Sequence, residues 1–271
     1  MNSYETFNVK TDGKVATVSF NRPDKANCLN AKAWQEMKAI FEELDATPTV
    51  RAIILTGEGK HFTAGIDVSM LMEITQHQNG SCESRKREHF IKNLQHLQDC
   101  VSAIEKCRKP VLAAIDNACI GGGIDISCAC DMRYATEQAY FSIKEIDWGM
   151  VADLGTLQRM PKIVPYGIVA ELAYTGRKFG AAEAQQIGFV NRVFADKETL
   201  LEEVMQIAQM IASKSPVSIR GTKEMLLYTR DHTVDDALKY QKIWNAAMIM
   251  SADLMEAGMA NMQKRTAEFV D

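Results

Sequence analysis

The chain has 271 residues, of which 46% are hydrophobic, so it can bury a large core and disorder is not expected. Its 31 basic and 35 acidic residues give a net charge of -4 without a long basic block, which argues against a nucleic-acid groove. No stretch reaches the ~18 apolar residues that a membrane-spanning helix needs, so we expect no membrane association.

The cysteines, histidines and chain ends suggest a reducing compartment and no metal. The seven cysteines form no CxxC pair, and the five histidines show no HxxxH or HxH spacing. The N-terminal MNSYETFNVK resembles neither a signal peptide nor an Arg-rich presequence, and the C-terminal AEFVD is not a peroxisomal address. These features predict a cytoplasmic protein with buried free thiols.

The first quarter of the chain predicts alternating strands and helices. The predicted elements are strands over 7–9, 15–20 and 51–56, a helix over 31–45, and a turn leading into a helix over 61–67. Thr11-Asp12-Gly13 between the first two strands is typical of a hairpin, and Asn30 is a suitable N-cap for the first helix.

The middle of the chain contains a polar segment, a long helix and a central stretch. Residues 75–84 are polar and are typical of a mobile loop, and residues 85–106 show apolar side chains at helical spacing up to Pro110. A buried strand over 111–115 then leads to Gly121-Gly122-Gly123 at the start of another helical pattern.

The last part of the chain is predominantly helical. The predicted elements are helices over 154–160, 168–174 and 181–187, a strand over 189–194, and helices over 197–213, 215–228, 233–249 and 252–264. The pattern therefore predicts a mixed α/β core over 1–196 and a helical region over 197–271. The methionines of that helical region favour packing or subunit contact over cofactor binding.

The glycine triplet is a candidate anion site. Glycine allows the backbone to approach a ligand closely, and the first amides of a helix lack intrahelical acceptors, so they can point at a negatively charged oxygen. A tight turn without a ligand is the more common use of such glycines and remains the alternative.

Three carboxylates follow the triplet among apolar neighbours: Asp125, Glu145 and Asp153. A carboxylate in apolar surroundings is costly unless it is partnered or used, which makes all three candidates for acid/base chemistry. Helix-dipole or capping roles are the alternative interpretation.

Together these features resemble the enoyl-CoA hydratase/isomerase (crotonase) superfamily. The motifs that carry the resemblance are Asn21-Arg22-Pro23, Phe62-Thr63-Ala64-Gly65-Ile66-Asp67, Lys109-Pro110-Val111, Gly121-Gly122-Gly123, Cys130-Asp131-Met132-Arg133 and Lys264-Arg265-Thr266-Ala267-Glu268-Phe269. The resemblance implies an α/β spiral of ββα repeats with a C-terminal helical trimerisation region, assembled as a homotrimer or a homohexamer.

The same resemblance implies an acyl-CoA thioester as substrate and no cofactor besides its CoA. The backbone amides of Ile66 and Gly122 would polarise the thioester carbonyl, and residues 75–84 would border the acyl pocket. Arg22 and Lys25 would meet the CoA phosphates, although a solvated basic turn fits them equally well. The resemblance extends to further substrate-binding positions and to CoA contacts with a neighbouring subunit: Ala64, Gly65, Asp67 and Gly123, and Lys264 and Phe269, respectively.

Within the superfamily, the acids are most similar to those of Δ3,5-Δ2,4-dienoyl-CoA isomerases. Hydratases have glutamate in place of Asp125, a second glutamate that matches Glu145, and a glycine-rich segment around position 153. The isomerases have aspartate, glutamate and a third acid, as this chain does. The resemblance implies that Glu145 and Asp153 shuttle a proton, that Asp125 orients them, and that the reaction serves fatty-acid or related acyl-CoA degradation.

Two alternative functions follow from the same residues. A hydratase would hold a water between Asp125 and Glu145, but aspartate is one methylene shorter than the usual glutamate. A catalytically silent CoA or RNA binder is the other alternative, and the net charge of -4 disfavours RNA.

Overall fold

The computed structural model describes residues 3–70, 72 and 82–271. Its strands are β1 Phe7–Asp12, β2 Val15–Phe20, β3 Ala52–Gly57, β4 Val111–Ile115, β5 Ala118–Ile120, β6 Met132–Thr136, β7 Tyr140–Ser142, β8 Phe179–Gly180 and β9 Arg192–Phe194. Its α-helices are Ala31–Ala46, Glu83–Lys106, Gly122–Ala129, Thr156–Arg159, Tyr166–Thr175, Ala181–Gln186, Lys197–Ala212, Pro216–Asp231, Val234–Met248 and Ala252–Gln263. Three 3-10 turns cover Pro23–Lys25, Lys144–Trp148 and Met160–Lys162.

Of the predicted loop over 75–84, residues 75–81 lie outside the described residues. Glu83 already begins the long helix Glu83–Lys106, two residues earlier than predicted.

Two sheets organise the described chain. The six-stranded sheet has the order β1-β2-β3-β4-β6-β9, in which β1 and β2 are antiparallel and all later neighbours are parallel. The hairpin predicted around Thr11-Asp12-Gly13 is therefore confirmed. The three-stranded sheet has the order β5-β7-β8, and β5 and β7 are parallel.

The six-stranded sheet is covered on both faces. Alternate residues of β3 and β4 point into two separate apolar clusters, as expected for parallel strands between layers. One cluster includes the helices Ala31–Ala46 and Glu83–Lys106. In the other, the helix Lys197–Ala212 packs against the opposite face through Leu200 and its neighbours on the same side of the helix.

The C-terminal helices differ in how much they bury. Lys197–Ala212 packs on the sheet, whereas Val234–Met248 and Ala252–Gln263 bury one residue each and expose large apolar side chains. The boundary between residues 196 and 197 remains a prediction. None of the helices in the described part of the chain is long and apolar enough to cross a membrane.

The strand predicted over 189–194 is shorter in the structure, where β9 begins at Arg192. The backbone amides of Phe189 and Val190 both donate to the carbonyl oxygen of Ala184, at 2.9 and 3.0 Å. They close a turn after the preceding helix, so they are not available for strand pairing.

Candidate active site

A cavity of about 430 Å³ opens beside the second glycine turn. Its walls are mostly apolar, and the three candidate carboxylates all line it, although 28 positions separate the first from the last. The lining residues are Ile66, Val68, Met72, Phe90, Asn93, Leu94, Leu97, Gly122, Asp125, Glu145, Trp148, Met150, Val151, Asp153 and Leu154.

Two glycine turns meet at this cavity. Gly65 has φ of +88°, and a Cβ there would lie 2.5 Å from the carbonyl oxygen of Ile120, so only glycine fits. A Cβ on Gly122 would lie 3.8 Å from the amide nitrogen of Ile66. The Ile66 and Gly122 backbones, far apart in sequence, are thus brought side by side.

The amides of Ile66 and Gly122 have no backbone acceptor among the described residues. Leu29 pairs with the chain on either side of Ile66, since its amide donates to Gly65 O at 2.8 Å and its carbonyl accepts from Asp67 N at 2.9 Å. Gly122 is the first residue of its helix. Within residues 3–70 and 82–271, neither amide donates to another backbone group.

Asp125 lies in the first turn of that helix and is 1% exposed. Its Oδ1 accepts hydrogen bonds from the amide and the hydroxyl of Thr156, both at 2.7 Å. Burial raises the pKa of Asp125 to about 6, against the hydrogen bonds from Thr156, and the charge of Asp153 adds to the rise. Asp125 is a fixed carboxylate that can still take up a proton near neutral pH.

Glu145 lies in the 3-10 turn Lys144–Trp148 and is differently placed. Its Oε2 is buried and has no hydrogen-bond partner in the described part of the chain. Its Oε1 lies against Gly121, where a Cβ would approach within 3.2 Å. Burial and then the charge of Asp125 raise the pKa of Glu145 to about 7, so this group can accept or release a proton at neutral pH.

Asp153 lies on the irregular segment between the 3-10 turn and the helix Thr156–Arg159. Its carbonyl oxygen accepts from Gln98 Nε2 at 2.7 Å, while its carboxylate lines the cavity. Desolvation raises its pKa. The N-cap of the following helix is Gly155, so the alternative role of Asp153 as a cap is not supported.

The predicted basic contacts lie outside the cavity lining. Arg22 Nη1 donates to Cys28 O at 2.6 Å and to Asp67 Oδ2 at 3.1 Å, so Arg22 and Asp67 form an ion pair. Hydrogen bonds from Ser69, followed by those from Cys28 and Arg22, hold the pKa of Asp67 at about 2 despite partial burial. Lys25 is exposed at the end of its 3-10 turn.

The remaining predicted positions support the turns. The amide of Ala64 donates to Ala26 O at 2.9 Å. A Cβ on Gly123 would lie 2.8 Å from Thr63 Cγ2, so this glycine is required for packing. Of the positions predicted for substrate contact other than the acids, Ile66 and Gly122 are the ones that line the cavity.

Sequence reasoning missed Thr156 and most of the apolar wall. Thr156 contacts Asp125 across 31 positions, a separation at which no local pattern indicates a hydrogen bond. Leu94 and Leu97 belong to the helical pattern predicted over 85–106, but whether that pattern lies beside the acids depends on the tertiary fold.

Comparisons with known proteins show the family to which the chain belongs. The family model described as enoyl-CoA hydratase/isomerase matches residues 10–271. A peroxisomal Δ3,5-Δ2,4-dienoyl-CoA isomerase of Arabidopsis thaliana is 45% identical over 273 residues, covering 99% of this chain and 98% of the relative. A mitochondrial enzyme of the same name from Mus musculus is 40% identical over 270 residues, covering 99% and 83%.

A solved structure shares the fold over the whole length. The crystal structure of an enoyl-CoA hydratase from Bacillus anthracis superimposes with a TM-score of 0.88 at 29% identity, covering 98% of this chain and 99% of that one. The predicted crotonase fold is confirmed. With a family model that spans nearly all of its residues, this chain belongs to the enoyl-CoA hydratase/isomerase family.

Proposed function

We propose that the protein is a Δ3,5-Δ2,4-dienoyl-CoA isomerase of fatty-acid or related acyl-CoA degradation. The observation that carries the proposal is the third carboxylate: Asp153 joins Asp125 and Glu145 on one apolar cavity. The relatives that are 40% and 45% identical along nearly the whole chain carry the name of this activity.

The reaction moves one proton and two double bonds. A carboxylate removes a proton from C2 of the 3,5-dienoyl thioester, and the electron pair spreads over the thioester oxygen, C2, C4 and C6. A second acid then delivers a proton to C6, which leaves double bonds at C2 and C4. This chemistry needs two acid/base groups at opposite ends of the diene, and we assign Glu145 and Asp153 to them.

The charge on the thioester oxygen requires preorganised donors. We assign this role to the unpaired amides of Ile66 and Gly122, each worth roughly 3 to 4 kcal/mol in such an oxyanion hole. Their proximity at the two glycine turns supports the assignment. Asp125, held by Thr156, is assigned to orient the other carboxylates, and its charge contributes to the raised pKa of Glu145.

The apolar wall fits an acyl chain. Phe90, Leu94 and Leu97 from one helix line the cavity together with Trp148 and Leu154, and they would exclude water from the dienolate. No cofactor is needed for this proton transfer, since CoA is part of the substrate.

Assembly and location are further parts of the proposal. Exposed apolar residues on the last two helices, such as Leu238, Ile243 and Met255, support a homotrimer or homohexamer, which light scattering would measure. The cytoplasmic location predicted from the chain ends remains a prediction, while the two named relatives are peroxisomal and mitochondrial.

The direct test uses a synthetic 3,5-dienoyl-CoA and follows the absorbance of the conjugated 2,4-dienoyl product. Asp153→Asn retains the shape but cannot accept a proton, so we expect kcat to fall by about 10² to 10⁴, with little change in KM or melting temperature. A wild-type protein with no rate above background would refute the isomerase proposal.

The same variants discriminate the hydratase alternative. If water addition to a 2-enoyl-CoA is the reaction, Asp153→Asn leaves it nearly intact, whereas Glu145→Gln abolishes it. Salt-sensitive retention of RNA without either activity would instead support the silent binding protein.

A further inference from the structure

Residues 153–159 carry one acid of the site and the hydrogen-bond donor to another acid. One face of a single helix contacts this segment through hydrogen bonds. Gln98 Nε2 donates to the carbonyl of Asp153 at 2.7 Å. One and two turns further along, Ser102 Oγ and Glu105 Oε2 accept from Arg159 Nη2, each at 3.1 Å. These three positions follow the spacing of one face of the helix Glu83–Lys106.

Arg159 connects that face to the acid-bearing segment. Its Nη1 donates to the carbonyl of Leu154 at 3.2 Å, next to Asp153 in the chain. The guanidinium fills the space beneath Gly155, where a Cβ would lie 1.8 Å from Nη1 and where φ is +127°. The segment can follow this path because residue 155 is glycine, and the Arg159 guanidinium lies directly against it.

The ion pair itself is largely shielded from water. The side chains of Arg159 and Glu105 are 11% and 16% exposed. Glu105 also pairs with Arg230 at 2.5 Å, and hydrogen bonds from Arg230 and Arg159 outweigh desolvation and lower the pKa of Glu105. A carboxylate shielded from water and hydrogen-bonded to the Arg159 guanidinium is an anchor for that side chain.

We propose that Arg159, anchored by Glu105, is a positioning residue that fixes Asp153 and Thr156 relative to the carboxylate of Asp125. The inference rests on the proposed function, since it treats Asp153 as one end of the proton shuttle. A displacement of about 1 Å at a reacting group can cost on the order of 10²-fold in rate, so the anchor affects turnover without touching the substrate.

The test compares Arg159→Gln with Arg230→Gln. Each variant removes one of the ion pairs of Glu105. Only Arg159→Gln also removes the contacts that hold the segment of residues 153–159. For Arg159→Gln we expect kcat on the 3,5-dienoyl-CoA to fall by about 10- to 100-fold with KM changed less than about threefold. For Arg230→Gln we expect kcat within about twofold of wild type, whatever the loss of stability.

Amide hydrogen exchange measures the positioning without relying on catalysis. The Thr156 amide donates to Asp125 Oδ1, so Arg159→Gln should speed exchange across residues 153–160 and leave the rest of the protein as in Arg230→Gln. If Arg159→Gln does not fold, Gln98→Ala releases the same segment at its other end. For that variant we expect a kcat loss of about three- to tenfold and the same local exchange.

Equal kcat losses in the two arginine variants, or wild-type exchange across residues 153–160 in Arg159→Gln, would overturn the inference. A wild-type protein that is inactive on 3,5-dienoyl-CoA refutes the proposed function alone. In that case local exchange confined to residues 153–160 still supports the anchor, and exchange that is unchanged or increased throughout the protein removes it.

Discussion

Two glutamates of this protein are withdrawn from water in different ways. Glu36, 6% exposed, accepts hydrogen bonds from the amides of Glu5 and Thr6 and from the Thr6 hydroxyl, at 2.9, 2.8 and 2.6 Å. Burial would raise its pKa, but these hydrogen bonds outweigh it and hold the pKa below the ordinary 4.5. Glu145 has a buried Oε2 with no partner in the described chain, and its pKa rises to about 7.

Asp125 lies between these extremes. Asp125 is 1% exposed, its Oδ1 accepts hydrogen bonds from the amide and the hydroxyl of Thr156, and burial raises its pKa to about 6 in spite of them. Burial raises the pKa of all three carboxylates, and only in Glu36 do the hydrogen bonds outweigh it, so burial and donors together decide whether a carboxylate is a permanent charge or exchanges protons near neutral pH.

The largest expected difference between Glu145 and Glu36 is in catalysis. Glu145→Gln removes a group that can exchange a proton at pH 7, so we expect kcat on a 3,5-dienoyl-CoA to fall by about 10³ to 10⁴. Glu36→Gln is the matched control and should retain activity within about twofold, because Glu36 does not line the cavity. Activity above about a tenth of wild type in Glu145→Gln would contradict the assignment.

The second test measures the free energy of unfolding by urea denaturation. Here we expect the larger loss in Glu36→Gln, the reverse of the order expected for activity. Glu36→Gln loses charge-assisted hydrogen bonds and leaves buried donors without a carboxylate acceptor. We therefore expect the free energy of unfolding to fall by about 1 to 3 kcal/mol. Glu145→Gln removes a buried group without hydrogen bonds at Oε2, so stability at pH 7 should stay the same or increase. A destabilised Glu145→Gln would assign Glu145 a structural role.

The smallest expected effect is a difference in how the two glutamates make stability depend on pH. The pKa of Glu36 is lowered on folding, so its contribution to stability is present above the ordinary 4.5 and is lost as pH falls through the lowered value. The pKa of Glu145 is raised from 4.5 to about 7, so its contribution is largest below 4.5 and is lost as pH rises to about 7.

Thermal unfolding of wild type and both glutamine variants, from about pH 2 to pH 8, measures these two contributions. We expect the free energy of unfolding of wild type minus that of Glu36→Gln to rise with pH, and that of wild type minus that of Glu145→Gln to fall. Slopes of the same sign would show that the two glutamates do not differ as proposed.

Local chemistry was readable from the sequence because it depends on residues a few positions apart. The hairpin around Gly13 and the helix capped by Asn30 formed as predicted, since turn conformation and an N-cap hydrogen bond to Ala33 are decided within four residues. The same holds for the glycine triplet at the start of a helix, and for the choice of Asp125 and Glu145 as acids in apolar surroundings.

The tertiary structure alone decided what those residues can do. Thr156 reaches Asp125 from 31 positions away, and Arg22, expected to bind phosphate, pairs with Asp67 across 45 positions. A pKa depends on which distant segments remove water and which donors they bring, and no sequence pattern records either quantity. The sequence therefore determined the turns, the caps and the identity of the acids, while the fold determined their partners and their charge.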